Sequence, residues 1–211
     1  MTRPARNCAL CPRLVALRSR VRATHPAYHA APVPAFGPAN ARLLVVGLAP
    51  GMHGANASGR PFTGDHAGVL LYQTLFDHGF SSAPVSLSAD DGLQLYDCRI
   101  TNAVKCLPPD NKPVAAEVNR CNAFLRPELV AAGVLIVLGG VAHKAVIRAL
   151  GLRQIDYPFG HEAEHRLPDG QVMIDSYHCS RYNTNTRRLT ATMFANVFAR
   201  AQQRVNDDLL P

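Results

Sequence analysis

No run of eighteen apolar residues occurs in the 211-residue chain, so no membrane-spanning helix is expected. The arginine-rich amino-terminal segment lacks an apolar signal core, which leaves the cytoplasm as the expected compartment. No internal repeat and no low-complexity tract breaks the chain up. The stretch richest in glycine, Gly47–Gly68, contains neither G-x-G-x-x-G nor G-x-x-x-x-G-K-[ST], and no lysine at all. Without that lysine a nucleoside triphosphatase loses its usual contact to the β- and γ-phosphates, which counts against triphosphate hydrolysis. Acidic residues are few: 15 Asp and Glu stand against 22 Lys and Arg, giving a formal charge of +7. That surplus favours a polyanionic partner, nucleic acid ahead of a membrane surface.

The length fits one domain, residues 1–211, and 47% hydrophobic residues suffice for a sizeable core. The Gly47–Gly68 stretch, GLAPGMHGANASGRPFTGDHAG, holds six of the fifteen glycines. Leu43–Val46 feeds it and a helical pattern from Val69 to Phe76 follows it, so it reads as an ordered loop between a buried strand and a helix. Such loops let a ligand approach the backbone, and they sit where open α/β sheets bind ligands. Asp65 stands where the helix should begin, and an N-cap is the plain reading of that position.

Around this loop the chain alternates. A helix starts at Pro12, with Leu14, Val15, Leu17 and Val21 on its apolar side and Arg13, Arg18, Arg20 and Arg22 over the remainder. Residues 25–41, with four prolines, read as a long loop. Strands are expected at 42–48, from Leu95 to Val104, at Val134–Leu138 and from Gln171 to Ser176. Helices are expected at about 66–79, from about 114, at 141–150 and along Leu189–Val205, the last with a clear apolar side. Residues 151–170 read as loop with room for short irregular strands. The alternation implies a three-layer αβα fold with a central four-stranded parallel sheet. It would bring the 47–68 loop, Asn102 and His178 to one sheet edge.

Six cysteines occur, and in a cytoplasmic chain metal ligation is a better reading of them than disulfides. Cys8, Cys11, Cys106 and Cys121 follow C-x2-C, a long gap, then C-x14-C. Four thiolates hold zinc or an iron–sulfur cluster. The wide second pair is unlike a zinc ribbon, and four buried structural thiols are the plain alternative. Cys98 lies inside a strand. Cys179 follows His178, but neighbours on an extended segment point to opposite faces, which argues against a nucleophile pair.

The glycine loop, the strand end TNAVKC, the segment HCSRYNTNTRRLT and the spaced cysteines together resemble the uracil-DNA glycosylase superfamily, and within it the iron–sulfur family 5, type B. The resemblance runs from Cys8 to about residue 200. It implies a base-excision repair enzyme of a bacterial cytosol or nucleoid that binds damaged double-stranded DNA as a monomer. Such an enzyme flips a deaminated base out of the duplex, uracil and also hypoxanthine or xanthine, and hydrolyses its N-glycosidic bond. With Lys105 the sole lysine in the pocket motifs and beside a cluster ligand, the enzyme should be monofunctional and leave an abasic site. The resemblance also implies a structural [4Fe-4S] cluster on Cys8, Cys11, Cys106 and Cys121. A nucleic-acid-binding protein with a structural four-cysteine metal site and no turnover is the alternative from a different class.

The roles the resemblance implies agree with the chemistry. Bond cleavage leaves a cationic sugar and an anionic base, so a carboxylate near the sugar stabilises the cation and orients water, and Asp65 in GRPFTGD takes that role. A place near a helix N-terminus should help keep it ionised. Asn102 reads the base edge, and His178 bonds the carbonyl oxygen where charge develops. Phe62 stacks on the base, and the backbone of Gly47–Gly51, including Ala49, lines the pocket. Gly51 stands where narrower relatives place a bulky tyrosine, which implies a roomier pocket. Here His178-Cys179-Ser180-Arg181 replaces the more common His-Pro-Ser-Pro. Ser180, Arg181, Tyr182 and Asn183 are the expected DNA contacts, with Arg187 and Arg188 adding to them.

Overall fold

The computed structural model describes residues 3–207. In its interior lies β1, Leu43–Gly47, with all five residues buried. Its side chains alternate between two cores: Leu43 and Val45 join one, Leu44 and Val46 the other. That is what period-two geometry demands of a strand covered on both faces. The other strands are β2 (Cys98–Asn102), β3 (Val134–Leu138), β4 (Glu164–Arg166) and β5 (Val172–Ser176). The sheet order is β2-β1-β3-β5-β4. The first four in that order run parallel, and β4 pairs antiparallel with β5 at the edge. The sheet is therefore five-stranded and mixed rather than purely four-stranded and parallel.

Among the described residues seven α-helices surround it: α1 (Pro12–Thr24), α2 (Ala55–Ser58), α3 (His66–Asp77), α4 (Ala115–Val130), α5 (Gly140–Ala149), α6 (Arg181–Asn185) and α7 (Ala191–Asp207). One face of the sheet packs against α3 and α7 through Leu71, Leu75, Phe194 and Phe198. The other packs against α1, α4 and α5 through Leu14, Leu125, Leu129, Val146 and Ile147. The α/β layering expected from the alternating pattern is thus present, and β3 has the expected bounds.

Two local expectations need correction. The second strand starts at Cys98, not Leu95, because the chain turns at Asp97, whose φ is +48°. The Asp97 carboxylate accepts from the backbone N–H and the Nε of Arg42 at 2.8 and 2.6 Å, which pins that turn to the start of β1. Second, α1 does not keep all its arginines outside: its buried residues are Leu14, Arg18 and Val21. His178 is followed after two residues by the short helix α6, capped by the Ser180 hydroxyl, which accepts from the Asn183 N–H.

The register sets the functional edge. Gly47 pairs with Asn102, and Leu138 with Ser176, so the carboxyl ends of β1, β2, β3 and β5 lie side by side. Behind that edge a polar pair is sealed into the fold. Asp175 of β5 is fully buried, and its Oδ1 lies 2.8 Å from Nδ1 of the buried His143 on α5. Removing one member of such a pair strands the other without its partner. Asp175→Ala should therefore lower the unfolding free energy by about 3 kcal/mol. Chemical denaturation measures this, and an unchanged midpoint would contradict it.

Candidate active site

The loop leaving β1 builds most of the site. It forms the single turn α2, then the segment Gly59–Gly64, then α3 with Asp65 at its N-cap. Asp65 does not cap α3: its side chain makes no capping bond to that helix. Its Oδ2 instead accepts from the backbone N–H of Ala55, the first residue of α2, at 3.1 Å. Two glycines permit this placement. A Cβ added at Gly51 or at Gly54 would fall inside the Asp65 carboxylate. The space that Gly51 leaves is therefore filled by Asp65, and does not by itself widen the pocket.

The Gly59–Gly64 segment is held from outside the pocket. Arg60 is buried and donates to Asp91 Oδ1 at 2.6 Å and to the Ser86 hydroxyl at 3.0 Å. Tyr72 of α3 donates its hydroxyl proton to the Pro61 carbonyl at 2.8 Å. These bonds hold Phe62 at φ +60°, an uncommon conformation for a bulky residue. Such strain persists only where the surroundings over-determine it. The Phe62 ring lies so close over Gly47 that a Cβ there would meet its Cζ, and Asn102 Oδ1, at 2.5 Å.

His178 enters from β5. Its ring faces Phe62 with centroids 6.2 Å apart and planes 26° apart. Gly139, at φ +92°, lets it sit close: an added Cβ there would lie 3.2 Å from His178 Cβ. The Asn183 side-chain amide donates to the His178 carbonyl at 2.8 Å and fixes the turn.

These groups enclose a cavity of about 530 Å³. Ala49, Gly51, Phe62, Asp65, Asn102, His178, Ser180, Arg181 and Asn183 all line it. Gly47 lies behind the Phe62 ring and Tyr182 stands out in solvent, 71% exposed, so neither is part of its wall. Ser180 and Asn183 also have internal duties at α6, whereas Arg181 is exposed at the mouth. Sequence reasoning missed Phe159 and Tyr177, which add aromatic surface to the wall. Arg188 stacks its guanidinium 4.6 Å above the Tyr177 ring. Tyr177 sits at a strand end next to His178, which was a usable signal; Phe159 lies in a loop without one.

The electrostatics separate the two titratable groups. Burial raises the Asp65 carboxyl above the usual carboxylate range, while the N–H groups of Ala55 and Gly51 pull the other way. The backbone N–H groups, one of them at the start of α2, thus help to keep Asp65 ionised against the larger effect of desolvation. Burial alone lowers the His178 imidazole to about 4, so His178 is neutral near pH 7. A neutral imidazole beside a carboxylate suits a reaction in which one face of the site meets a cation and the other a developing anion.

The other predicted constellation lies on the opposite core. Cys8 precedes α1, Cys11 is its N-cap, Cys106 follows β2 and Cys121 lies on α4; all four thiols line one narrow pocket. Burial raises the Cys106 thiol to about 12, with the nearby cysteines adding to the shift. Cys11 and Cys121 are also raised by burial. Four thiols on one pocket, two of them buried and two half-buried, become thiolates when a cationic group binds them, so the donor set fits a metal centre. Cys98 and Cys179 are fully buried in the other core, away from this pocket. Burial pushes the Cys179 thiol to about 12, which agrees with a core residue and not a nucleophile.

Comparisons with known proteins bear on this geometry. The family model described as "Uracil DNA glycosylase superfamily" matches residues 34–202. A type-5 uracil-DNA glycosylase of Thermus thermophilus is 46% identical over 93% of this chain and 93% of its own. Another, of Pyrobaculum aerophilum, is 43% identical over 92% of this chain and 88% of its own. A third, of Mycobacterium bovis, is 40% identical over 93% of this chain and 77% of its own. A match of this extent, over a sheet edge where Asp65, Asn102 and His178 meet in one cavity, shows that the chain belongs to the uracil-DNA glycosylase superfamily.

Proposed function

We propose that this protein removes deaminated bases from double-stranded DNA by hydrolysing the N-glycosidic bond, with uracil as a substrate and hypoxanthine or xanthine as further ones. The observation that carries this reading is the pairing of a desolvated carboxylate, Asp65, with a neutral imidazole, His178, in one cavity beside Phe62. A flipped base enters against Phe62, and Asn102 at the end of β2 reads its edge. Ionised Asp65 stabilises the cationic sugar and orients water at its anomeric carbon. His178 donates a proton in a hydrogen bond to the carbonyl oxygen of the departing base. A purely DNA-binding protein has no use for these two groups in one pocket.

No lysine lines the cavity among the described residues. Lys105 is buried, with Nζ 2.6 Å from Glu128 Oε2. This supports a monofunctional enzyme, since no primary amine is in place to form a Schiff base. The cavity volume falls in the range of ordinary ligand pockets and supports a base with two rings as well as one. Exposed Arg181, Tyr182 and Arg187, on or just after α6, are the side chains we assign to the DNA backbone at the mouth. The reading includes a monomer acting in the cytoplasm or nucleoid. No helix among the described residues is long and apolar enough to cross a membrane.

We assign a [4Fe-4S] cluster to Cys8, Cys11, Cys106 and Cys121, where it supplies a cross-link between the start of α1 and the Cys106–Cys121 segment. The four cysteines on one pocket, with the spacing C-x2-C and C-x14-C, support this assignment.

The test is base release from labelled duplexes carrying uracil, hypoxanthine or no lesion, with alkali added only afterwards. Cleavage at the lesion after alkali supports the proposal, and no release from any damaged duplex by protein that still binds DNA would overturn it. The pH profile follows from the same groups. Activity should hold across neutral pH and fall on acidification at a pH above the ordinary carboxylate value of about 3.9, as Asp65 takes up a proton. A profile flat down to that value would remove Asp65 from its role.

A further inference from the structure

Arg18 is turned the wrong way for a solvated arginine. It shares the inner side of α1 with Leu14 and Val21 and is only 8% exposed. Burying a guanidinium is costly unless its donors find acceptors. Nη2 has one, the Cys8 carbonyl at 2.9 Å. Nη1 is buried with no hydrogen-bond partner among the described residues. The other buried side-chain atoms in that condition belong to Arg99, Asn122 and His161, and none of those residues lines the cysteine pocket; Arg18 does.

The remaining cations at the pocket are solvated or engaged. Arg120 is exposed to solvent. The Lys105 ammonium is held by Thr101 and Glu128. Among the described residues, Arg18 alone brings a free, desolvated donor to the pocket that the four cysteines line.

We propose that Arg18 donates through Nη1 to a sulfur of the cluster held by Cys8, Cys11, Cys106 and Cys121, and so sets the charge balance and reduction potential of that cluster. The inference rests on the cluster assignment above. A cluster with four thiolate ligands is anionic, and one added electron makes it more so. A buried cation and an N–H···S bond both favour the reduced form and raise the potential. The second nitrogen ties the Cys8 carbonyl to the same guanidinium, so Arg18 also holds the amino-terminal ligand loop against the cluster.

The experiment uses the full chain purified without air as wild type, Arg18→Gln, Arg18→Lys and, on the exposed side of α1, Arg20→Gln. Iron and sulfide content, visible absorbance, the potential from a mediated redox titration and the rate of cluster loss to a chelator are measured. Arg18→Gln should show a more negative potential and several-fold faster loss. Arg18→Lys should shift the same way by less, and Arg20→Gln should match the wild type. Equal potentials in wild type and Arg18→Gln at equal cluster content would overturn the role of Arg18. If Arg18→Gln loads no cluster, Arg18→Lys decides, and a wild-type potential there overturns the proposal. A colourless, zinc-containing wild type would overturn the cluster assignment itself and the inference with it.

Discussion

Replacing Asp65 with Asn is expected to slow single-turnover base release by about 10³-fold while leaving DNA affinity nearly unchanged. The amide keeps the size of the side chain and an oxygen that accepts from the Ala55 N–H, so the site keeps its shape. What is lost is the negative charge facing the sugar. The sign of the accompanying stability change follows from the raised carboxyl pKa. A carboxyl whose folded-state pKa exceeds its unfolded one costs stability at neutral pH, where it is ionised in both states. That cost disappears as pH falls through the folded value. Asp65→Asn removes it at every pH, so the variant should melt no lower than the wild type at neutral pH. A variant that loses turnover because it unfolds would point to a structural role instead. Loss of binding with unchanged turnover per bound complex would also defeat the assignment.

Gly54→Ala should produce a second large loss with Asp65 still in place. The added methyl would occupy the position of the Asp65 carboxylate. The carboxylate is fixed by Ala55 at the start of α2, so it has to leave that bond to make room. Displacing a reacting group by about 1 Å is worth about 10² in rate. The expected result is about 10²-fold slower release in single-turnover assays, with duplex binding retained. Gly160→Ala is the control, because an added Cβ there meets only Ala163 Cβ at 3.5 Å, an ordinary contact. Equal rates for Gly54→Ala and wild type would mean that the carboxylate does not need its present position.

These two variants also mark the boundary of what the residues disclosed by themselves. Period and composition suffice for the central strands: Leu43–Val46 and Val134–Leu138 are apolar runs bounded by glycine or turn residues, and both are buried strands. The spaced cysteines and the loop before α3 were equally readable, because their residue types are unusual for inert surface. Orientation was not readable. Asp65 occupies an N-cap position, and only the bare backbones of Gly51 and Gly54 explain why its carboxylate turns to α2. Arg18 was read as surface from its charge, although its spacing from Leu14 and Val21 puts it on their face of α1, where the pocket of the four cysteines lies. The edge strand Glu164–Arg166 has three polar or charged residues and no alternation to betray it. It forms because β5 offers an open edge, a tertiary cause with no local trace.

The central claim is that Asp65 and His178 make this cavity a hydrolytic centre for one damaged base. The most direct measurement is a single-turnover time course on a duplex with one uracil, followed by both free base and strand integrity, for wild type and Asp65→Asn. The wild type should release uracil and leave the strand intact until alkali is added, and Asp65→Asn should bind the same duplex but release about 10³-fold more slowly. Release at equal rates by both proteins, or strand breakage without alkali, would contradict it.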